Sequence, residues 1–212
     1  MKVLITGSNG FVGKNLGIRL SERDDVEVIN FTRDHTIDDL SNLIKEVDFV
    51  FHLAGVNRPE NVEEFQQGNT ELMAALCSAI ESSGKKIPII YSSSIQAKLD
   101  NPYGESKLAA EQLLLNLEKR TGNSVYIFRL PNVFGKWCKP NYNSAVATFC
   151  YNTVHNLPIQ INDPSALVQL VYVDDVVNRF ISIMDGSIVK DIYCDVTPVY
   201  EITVGDLVDK IN

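Results

Sequence analysis

The sequence predicts a doubly wound α/β fold, in which helices cover both faces of a parallel β-sheet. Short apolar runs alternate with helical stretches from the first residue onward, an order typical of strand–helix–strand units. The apolar runs are rich in Val, Ile, Phe and Tyr and have no alternating polar face, which indicates strands buried on both sides. A length of 212 residues suffices for one large domain or two small ones.

The first part of the chain holds the regular alternation. The predicted strands are Lys2–Thr6, Val26–Phe31, Phe49–Leu53, Pro88–Tyr91 and Val125–Leu130, and the predicted helices are Phe11–Glu22, Asp39–Glu46, Glu63–Ser82 and Tyr103–Arg120. After residue 130 the alternation loosens. There we predict a structured loop at Pro131–Asn143, helices at Ser144–His155, Asp174–Met184 and Thr203–Ile211, and short strands at Pro158–Ile161 and Gln169–Val173. Because the terminal helix stops at Asn212, we expect residues 131–212 to be an incomplete second part.

Charge and cysteine content exclude several classes of function. The chain has 27 acidic against 19 basic residues, a formal net charge of −8, so a nucleic-acid-binding surface is not predicted. An anionic membrane surface would repel such a protein as a whole. The four cysteines form no CxxC pair, and the three histidines have no partners at metal-ligand spacing, so neither a disulfide framework nor a metal site is predicted. With no signal-peptide pattern, we expect a cytoplasmic protein.

A glycine-rich turn joins the first predicted strand to the first helix. Gly7 permits a tight turn, Gly10 lets the backbone approach a pyrophosphate, and Gly13 lets the helix pack closely on the strand. The helix N-terminus adds unpaired N–H groups and a partial positive charge. The alternative is a glycine-rich turn that binds nothing. Its position after the first strand favours a Rossmann-like dinucleotide site, so residues 1–130 are predicted to be a dinucleotide-binding core and residues 131–212 to bind substrate.

The end of the second strand indicates which dinucleotide binds. An acidic residue there would accept hydrogen bonds from the adenosine ribose and favour NAD. The segment has no carboxylate before Asp34, and Arg33 is placed to pair with a 2′-phosphate. The alternative for Arg33 is a solvated surface residue. We therefore predict NADPH as the cofactor.

Tyr103 and Lys107 form a candidate catalytic pair. They lie four residues apart at the start of a predicted helix, and hence on one face of it. A phenol with a pKa near 10 is a poor acid–base group at neutral pH, and a neighbouring ammonium stabilises the phenolate and lowers that pKa. By itself such a pair is most often a surface feature. Three serines, Ser92 to Ser94, follow the fourth strand, and with the glycine turn they favour a carbonyl-reducing site.

Together these residues resemble the extended branch of the short-chain dehydrogenase/reductase superfamily, the epimerases, dehydratases and reductases of nucleotide sugars. The resemblance covers essentially the whole chain. Within that branch it is most specific to the reductase domain of bifunctional capsular-polysaccharide enzymes that make the precursor of UDP-N-acetyl-L-fucosamine. Further matching segments are His52–Gly55, Asn57–Glu60, Ser92–Ala97, Asn101–Tyr103, Arg129–Gly135, Phe134–Ser144 and Tyr172–Val176.

The resemblance implies NADPH-dependent reduction at C4 of a UDP-4-keto-6-deoxy-N-acetylhexosamine, with the C-terminal cupin domain of those enzymes absent from this chain. Tyr103 would protonate the C4 oxygen, and Lys107 would hold the nicotinamide ribose and lower the phenol pKa. Ser94 would hydrogen-bond the carbonyl, with Ser93 as the alternative. The implied cofactor-binding residues are Gly7, Asn9, Gly10, Phe11, Val12, Gly13, Arg33, Leu53, Ala54, Gly55, Asn69, Tyr103, Lys107 and Leu130, and the implied substrate-binding residues are Asn57, Arg58, Asn132, Lys136, Trp137 and Lys139.

Differences from the sequences of related enzymes narrow the range of reactions that this chain is expected to catalyse. The Asp-Glu pair of sugar dehydratases does not follow Ser94, and serines replace the acid–base cysteine of fucose synthases. The segment Leu167–Val171 also lacks an arginine that clamps UDP phosphates in many relatives. Two other functions stay open: a UDP-sugar 4-epimerase with tightly held NAD, and an NADP-binding module without catalysis. Arg33 argues against the first, and the Tyr103–Lys107 pair argues against the second.

The remaining expectations concern assembly and packing. The segments 63–82 and 103–120 resemble the helix pair that forms the two-fold interface in this superfamily, so we predict a homodimer. The leucines between residues 108 and 117 supply more apolar surface than one helix face buries. His52 is predicted to be a packed structural residue. Asp174 and Asp175 are predicted to supply the N-cap and first-turn charge of a helix.

Overall fold

The computed structural model describes all 212 residues, Met1–Asn212. The strands are β1 (Lys2–Thr6), β2 (Glu27–Phe31), β3 (Phe49–His52), β4 (Ile89–Ser94), β5 (Val125–Leu130), β6 (Asn132–Phe134), β7 (Leu167–Tyr172), β8 (Tyr193–Cys194) and β9 (Tyr200–Thr203). The helices are α1 (Phe11–Ser21), α2 (Asp39–Glu46), α3 (Glu63–Phe65), α4 (Leu72–Ser83), α5 (Pro102–Thr121), α6 (Ala145–Val154), α7 (Val173–Met184) and α8 (Val204–Ile211). The predicted α/β class is confirmed.

Six parallel strands form the main sheet in the order β2-β1-β3-β4-β5-β8. β1 pairs with β2 on one side and with β3 on the other, so the order of the strands reverses at β1. In open sheets of this kind, ligands bind beyond the carboxyl ends of the strands at such a reversal. The turns after β1 and β3 are therefore placed to hold a ligand.

Two hydrophobic layers enclose this sheet. Helices α2, α4 and α5 bury one set of side chains against one face, including Ile44, Leu76 and Leu114. Helices α1 and α7 bury another set against the opposite face, including Leu16 and Phe180. Strands that are covered on both faces have apolar side chains on both sides. This is why continuous apolar runs in the sequence predicted their positions. No helix combines the length and the apolar composition that a bilayer crossing requires.

A three-stranded sheet with the order β6-β7-β9 lies in the second part of the chain. β6 and β7 pair in parallel, and β9 pairs antiparallel with β7. A small core of Phe149, Leu170, Leu207 and Val208 joins this sheet to α6 and α8. The predictions included only β7 of these strands; β6, with three residues, and β9, with four, were missed.

The strand predicted at Pro158–Ile161 is wrong, since this segment is not part of either sheet. Pro158 has no N–H to donate to a strand neighbour. Its carbonyl oxygen instead accepts a hydrogen bond from Asn152 Nδ2 at 3.0 Å. Ile159 and Ile161 pack against the small core, so the alternation of apolar residues here reflects a packed loop.

Two of the predicted helices also differ from the observed ones, one in its continuity and one in its first residue. The helix predicted over Glu63–Ser82 contains a π-helical segment, Gln66–Glu71, between α3 and α4. Such segments are often found at functional sites. Helix α7 begins at Val173, so Asp174 and Asp175 both lie in its first turn and neither is the N-cap. Carboxylates in that turn still favour the helix through its dipole.

Candidate active site

The glycine-rich turn between β1 and α1 is held close to the turn after β3. Gly7 has a φ of +71°, and a Cβ built on it would lie 2.7 Å from the Ala54 backbone. The residue must therefore be glycine both for its conformation and for its contact. Its N–H donates to the Phe31 carbonyl at 3.0 Å, and the Gly10 N–H donates to the Gly7 carbonyl at 2.9 Å. No side chain caps α1, so its first N–H groups have no side-chain acceptor at the helix start.

A cleft of about 990 Å³ opens beside this turn. Gly7, Asn9 and Gly10 line one wall, and the loop that follows β3 lines another. The polar segment after β2 completes it, with Thr32, Arg33, Asp34 and His35. The structure thus brings together the three turns that the sequence assigned to one dinucleotide.

Several predicted cofactor residues line the cleft and others do not. Asn9 and Gly10 are exposed in it, and Leu53, Ala54 and Gly55 line it from the loop after β3. Four predicted residues do not line it: Gly13 is buried, Phe11 and Val12 pack on the core, and Leu130 is a core residue at the end of β5. These four support the shape of the site from within the protein.

The cleft suits a pyrophosphate-containing ligand. Ser8 Oγ is buried in the glycine-rich turn and has no hydrogen-bond partner in the chain. A buried hydroxyl without a partner is unfavourable, and a phosphate oxygen would satisfy it. The Arg33 guanidinium is exposed at the cleft and forms no ion pair with any carboxylate of the chain. It is free to pair with an anionic group of a ligand.

Asn69 organises the loop after β3. It is 1% exposed in the π-helical segment, and its Oδ1 accepts from the Val56 N–H at 2.8 Å. Its Nδ2 donates to the Val56 carbonyl at 3.0 Å and to Ser106 Oγ at 2.9 Å. The amide has no free donor for a ligand, so Asn69 positions the loop beside α5. Direct cofactor binding by Asn69, as implied by the resemblance, stays a prediction.

Tyr103 and Lys107 lie in the first turns of α5. Asn101 caps the helix by accepting from the Gly104 N–H at 2.9 Å, and Pro102 follows it at the first helical position. Lys107 is buried, and its Nζ donates to the Ser92 carbonyl at 3.1 Å. The same Nζ lies 5.9 Å from the centroid of the Tyr103 ring. The predicted pair is therefore assembled at the carboxyl end of β4.

The pKa values of this pair follow from burial. Burial raises the pKa of the Tyr103 phenol, and the facing Ser94 hydroxyl opposes that change. Burial lowers the pKa of Lys107 to about 8, and the Glu111 carboxylate opposes that change. The expected lowering of the Tyr103 pKa by Lys107 is thus not found in the protein alone. A raised pKa keeps the phenol protonated at neutral pH, as an acid requires.

The structure separates the two candidate serines. Ser94 faces Tyr103 and accepts from the Gln96 N–H at 3.2 Å, which caps the short turn that follows β4. Ser93 donates its hydroxyl proton to the Glu111 carboxylate instead. The geometry therefore favours Ser94 over Ser93 as the serine beside the reacting oxygen.

His52 is a packed residue, as its sequence position predicted. Thr6 Oγ1 accepts from the Ala54 N–H at 3.2 Å and forms a hydrogen bond with His52 Nδ1 at 2.9 Å. Burial, with a smaller effect of Lys107, lowers the pKa of His52 to about 3. A neutral imidazole in this place ties β1 to β3 and carries no charge into the site.

β6 and the loop that follows it carry four of the six predicted substrate residues. Trp137 is 49% exposed, with the Lys136 ammonium 5.7 Å from its ring. Lys136 also pairs with Asp174 at 3.2 Å. Asn132 is exposed on β6 and donates to the Gln169 carbonyl at 3.1 Å. The Lys136–Asp174 pair therefore holds the loop against α7, and the Asn132 contact joins β6 to β7.

Tyr142, which the sequence analysis missed, connects two of the predicted substrate segments. The Arg58 guanidinium lies 5.9 Å from the Tyr142 ring, and the Lys139 ammonium lies 5.7 Å from it. Arg58 also approaches the Asn141 carbonyl at 3.4 Å. Beside Arg58, Asn57 Oδ1 is buried without a hydrogen-bond partner. Arg58, Lys139 and Tyr142 thus form an exposed cationic and aromatic cluster.

Comparisons with known proteins agree with this geometry. The family model described as "NAD dependent epimerase/dehydratase family" matches residues 3–193. The chain is 57% identical over 211 residues to UDP-2-acetamido-2,6-beta-L-arabino-hexul-4-ose reductase of Pseudomonas aeruginosa. That alignment covers 100% of this chain and 57% of the relative.

Two solved structures illustrate the likeness of the fold. The capsular polysaccharide assembling protein CapF of Staphylococcus aureus is 42% identical, with a TM-score of 0.88, over 100% of this chain and 56% of CapF. UDP-glucuronic acid 4-epimerase of Bacillus cereus has the same TM-score of 0.88 at 19% identity, and covers 100% of this chain and 82% of its own. The chain thus spans little more than half the length of the reductase and of CapF.

Proposed function

Because the chain belongs to the NAD dependent epimerase/dehydratase family, we propose that it reduces the C4 ketone of a UDP-4-keto-6-deoxy-N-acetylhexosamine with NADPH. The product would be a precursor in the synthesis of capsular or related polysaccharide. The name of the 57% identical reductase and the likeness to CapF support this assignment.

The contact between Gly55 and Lys107 carries the proposal. Gly55 lines the dinucleotide cleft, and a Cβ built on it would lie 3.1 Å from Lys107 Nζ and 2.9 Å from Asn69 Oδ1. The cleft therefore ends beside the ammonium of the catalytic pair. A ligand extending from the glycine-rich turn past Gly55 reaches Lys107 and Tyr103, which is the arrangement that a reduction needs.

Each polar residue of the site has a role in this reaction. NADPH bound in the cleft supplies the hydride that is added to the sugar C4. Tyr103 donates its phenolic proton to the C4 oxygen, and Ser94 holds that oxygen by a hydrogen bond. Lys107 donates to a ribose hydroxyl and stabilises the phenolate after proton transfer. The proton leaves Tyr103 only as negative charge develops on the substrate oxygen.

Arg58, Lys139 and Tyr142 are proposed to bind the UDP diphosphate and base. The segment Leu167–Val171 offers no arginine for that purpose. The guanidinium and ammonium supply charge-assisted hydrogen bonds, and the aromatic ring supplies a stacking surface. The exposed Trp137 ring adds a second surface of the same kind.

Consumption of NADPH on addition of the UDP-4-keto sugar tests the proposal. We expect stoichiometric oxidation of NADPH, detected by loss of nicotinamide absorbance, with a product that has a hydroxyl at C4. A 4-epimerase would interconvert two UDP-sugars without net oxidation of NADPH. A protein that binds NADPH tightly and consumes none with any UDP-4-keto-6-deoxy sugar would contradict the proposed reaction.

Preference for NADPH over NADH is the first expected result. We expect NADPH to bind more tightly than NADH by about 1.5–3 kcal/mol. Arg33 can form a charge-assisted hydrogen bond with the 2′-phosphate of NADPH, and NADH has no such phosphate. Titration followed by tryptophan-excited nicotinamide fluorescence measures both affinities. Arg33→Ala should remove most of the difference.

Arg19→Ala is the matched control, since Arg19 is an exposed arginine on α1 that approaches Glu22 at 4.0 Å. It should leave the preference unchanged. Equal affinities of the unmodified protein for NADPH and NADH would refute the role of Arg33.

We propose that the protein forms a homodimer through segments 63–82 and 103–120. Leu108 is 38% exposed, and Leu113 and Leu115 on α5 are half-buried in the single chain. A partner that covers this face would remove apolar surface from water. Light scattering at tens of micromolar protein should give twice the chain mass, and Leu108→Glu should lower it toward one chain. A single-chain mass for the unmodified protein would contradict the dimer.

A further inference from the structure

Glu111 is a fully buried carboxylate next to the catalytic pair. It lies on α5 one turn after Lys107, and its side chain is 0% exposed. Arg129 of β5 donates to it from Nη2 at 2.6 Å and from Nε at 3.0 Å. Tyr193 of β8 donates its hydroxyl proton at 3.1 Å, and Ser93 of β4 donates a fourth hydrogen bond. Burial of a charge is costly, so a carboxylate with so complete a set of donors calls for an explanation.

The hydrogen bond from Ser93 fixes the part of β4 that the catalytic pair uses. Ser93 lies between Ser92, whose carbonyl accepts from Lys107, and Ser94, whose hydroxyl faces Tyr103. Holding Ser93 against α5 therefore sets the positions of both neighbours relative to that helix. Arg129, whose guanidinium lies 4.6 Å from the Tyr193 ring, holds the carboxylate from the other side.

Glu111 also supplies the negative charge that Lys107 meets. The groups facing the ammonium are His52 from β3, Tyr91 from β4, and Tyr103 and Glu111 from α5. The pKa of His52 is lowered and that of the Tyr91 phenol is raised, both by burial, so neither side chain is charged at neutral pH. Residues four apart on a helix lie on one face of it, and the Glu111 carboxylate opposes the effect of burial on the Lys107 ammonium.

We propose that Glu111, oriented by Arg129, is the positioning residue of the catalytic pair: it holds the Ser92–Ser94 end of β4 against α5 and is the anionic group that faces the Lys107 ammonium. Its role in turnover rests on the proposed reductase function. The placement of the charged groups of Glu111, Arg129 and Lys107 does not depend on a substrate and can be tested in its absence.

Titration of the Lys107 ammonium tests this role without substrate. NMR of protein with isotopically labelled lysine side chains, assigned with Lys107→Arg, gives the pH at which Lys107 loses its proton. We expect a midpoint near 8 in the unmodified protein. Glu111→Gln keeps the size and the hydrogen-bonding capacity but removes the charge, and should lower the midpoint by about one pH unit.

Glu81→Gln is the matched control, because Glu81 forms the same kind of two-bond pair with Arg120 on the surface of α4 and α5. It should leave the Lys107 midpoint unchanged. If Glu111→Gln does not fold, the double variant Glu111→Gln/Arg129→Gln removes both charges of the ion pair. The Lys107 midpoint should still fall, because Glu111 and not Arg129 is the charged group that faces the ammonium. A Lys107 midpoint that is unchanged in folded protein lacking the Glu111 charge would overturn the proposal.

Turnover measurements separate this inference from the proposed function. In an active reductase, Glu111→Gln should shift the alkaline fall of kcat to lower pH by the same amount as the Lys107 midpoint. A shifted midpoint in a protein that reduces no UDP-4-keto sugar would refute the reductase function and leave the positioning role intact. An active reductase whose pH profile of kcat is unchanged by Glu111→Gln would refute the positioning role and leave the reductase function intact.

Discussion

Replacing Tyr103 with phenylalanine is expected to lower kcat by about 10²–10⁴-fold, the usual contribution of a general acid. The variant keeps the ring next to Lys107 and removes only the phenolic oxygen that protonates the sugar. Because the glycine-rich turn and the loop after β3 form the cofactor cleft, NADPH affinity should stay nearly unchanged. Steady-state turnover and fluorescence titration on the same preparation measure the two quantities.

Tyr91→Phe is the control for loss of a phenol near the same lysine. The Tyr91 hydroxyl is buried without a hydrogen-bond partner, and its ring centroid lies 5.0 Å from Lys107 Nζ. Its removal should cost little stability, because no hydrogen bond is lost. We expect kcat to stay close to that of the unmodified protein. Near-normal turnover of Tyr103→Phe would show that another group is the acid.

The main sheet was predictable because burial on both faces leaves a clear mark in the sequence. The bounds of β1, β5 and α2 agree with the predictions residue for residue. The π-helical segment was not predictable, since Gln66–Glu71 is polar and its helical widening is stabilised by the contacts of Asn69 with Val56 and Ser106. Contacts between residues distant in the sequence decide such details.

In the candidate site, too, local features were predictable and features set by distant contacts were not. The spacing of Tyr103 and Lys107 on one helix could be read locally, but the choice between Ser93 and Ser94 required knowledge of what each hydroxyl meets. Glu111 was missed for the same reason. One signal was available: Arg129 is a charged residue inside the otherwise apolar strand Val125–Leu130, and a buried arginine needs an anionic partner.

Substitution of two glycines on α1 by alanine should change the stability of the protein in opposite directions. A Cβ at Gly13 would overlap the Gly7 carbonyl oxygen and lie 2.8 Å from Ser8 Cα, both of them backbone atoms of the glycine-rich turn. A Cβ at Gly17, one turn later in the same helix, meets no atom within 4 Å. The same substitution therefore tests close packing at one position and helix propensity at the other.

Gly13→Ala should lower the free energy of unfolding by about 1–3 kcal/mol, because the helix must move away from the turn to make room. For a chain of this length that corresponds to a fall in Tm of roughly 2–10 °C. NADPH affinity should fall with it, since the displaced turn no longer presents its N–H groups to the pyrophosphate. Gly17→Ala should raise stability by about 0.5–1 kcal/mol and leave NADPH affinity unchanged. Thermal unfolding with and without NADPH measures both effects, and a Gly13→Ala variant as stable and as tightly binding as Gly17→Ala would show that the turn and α1 do not pack as closely as described.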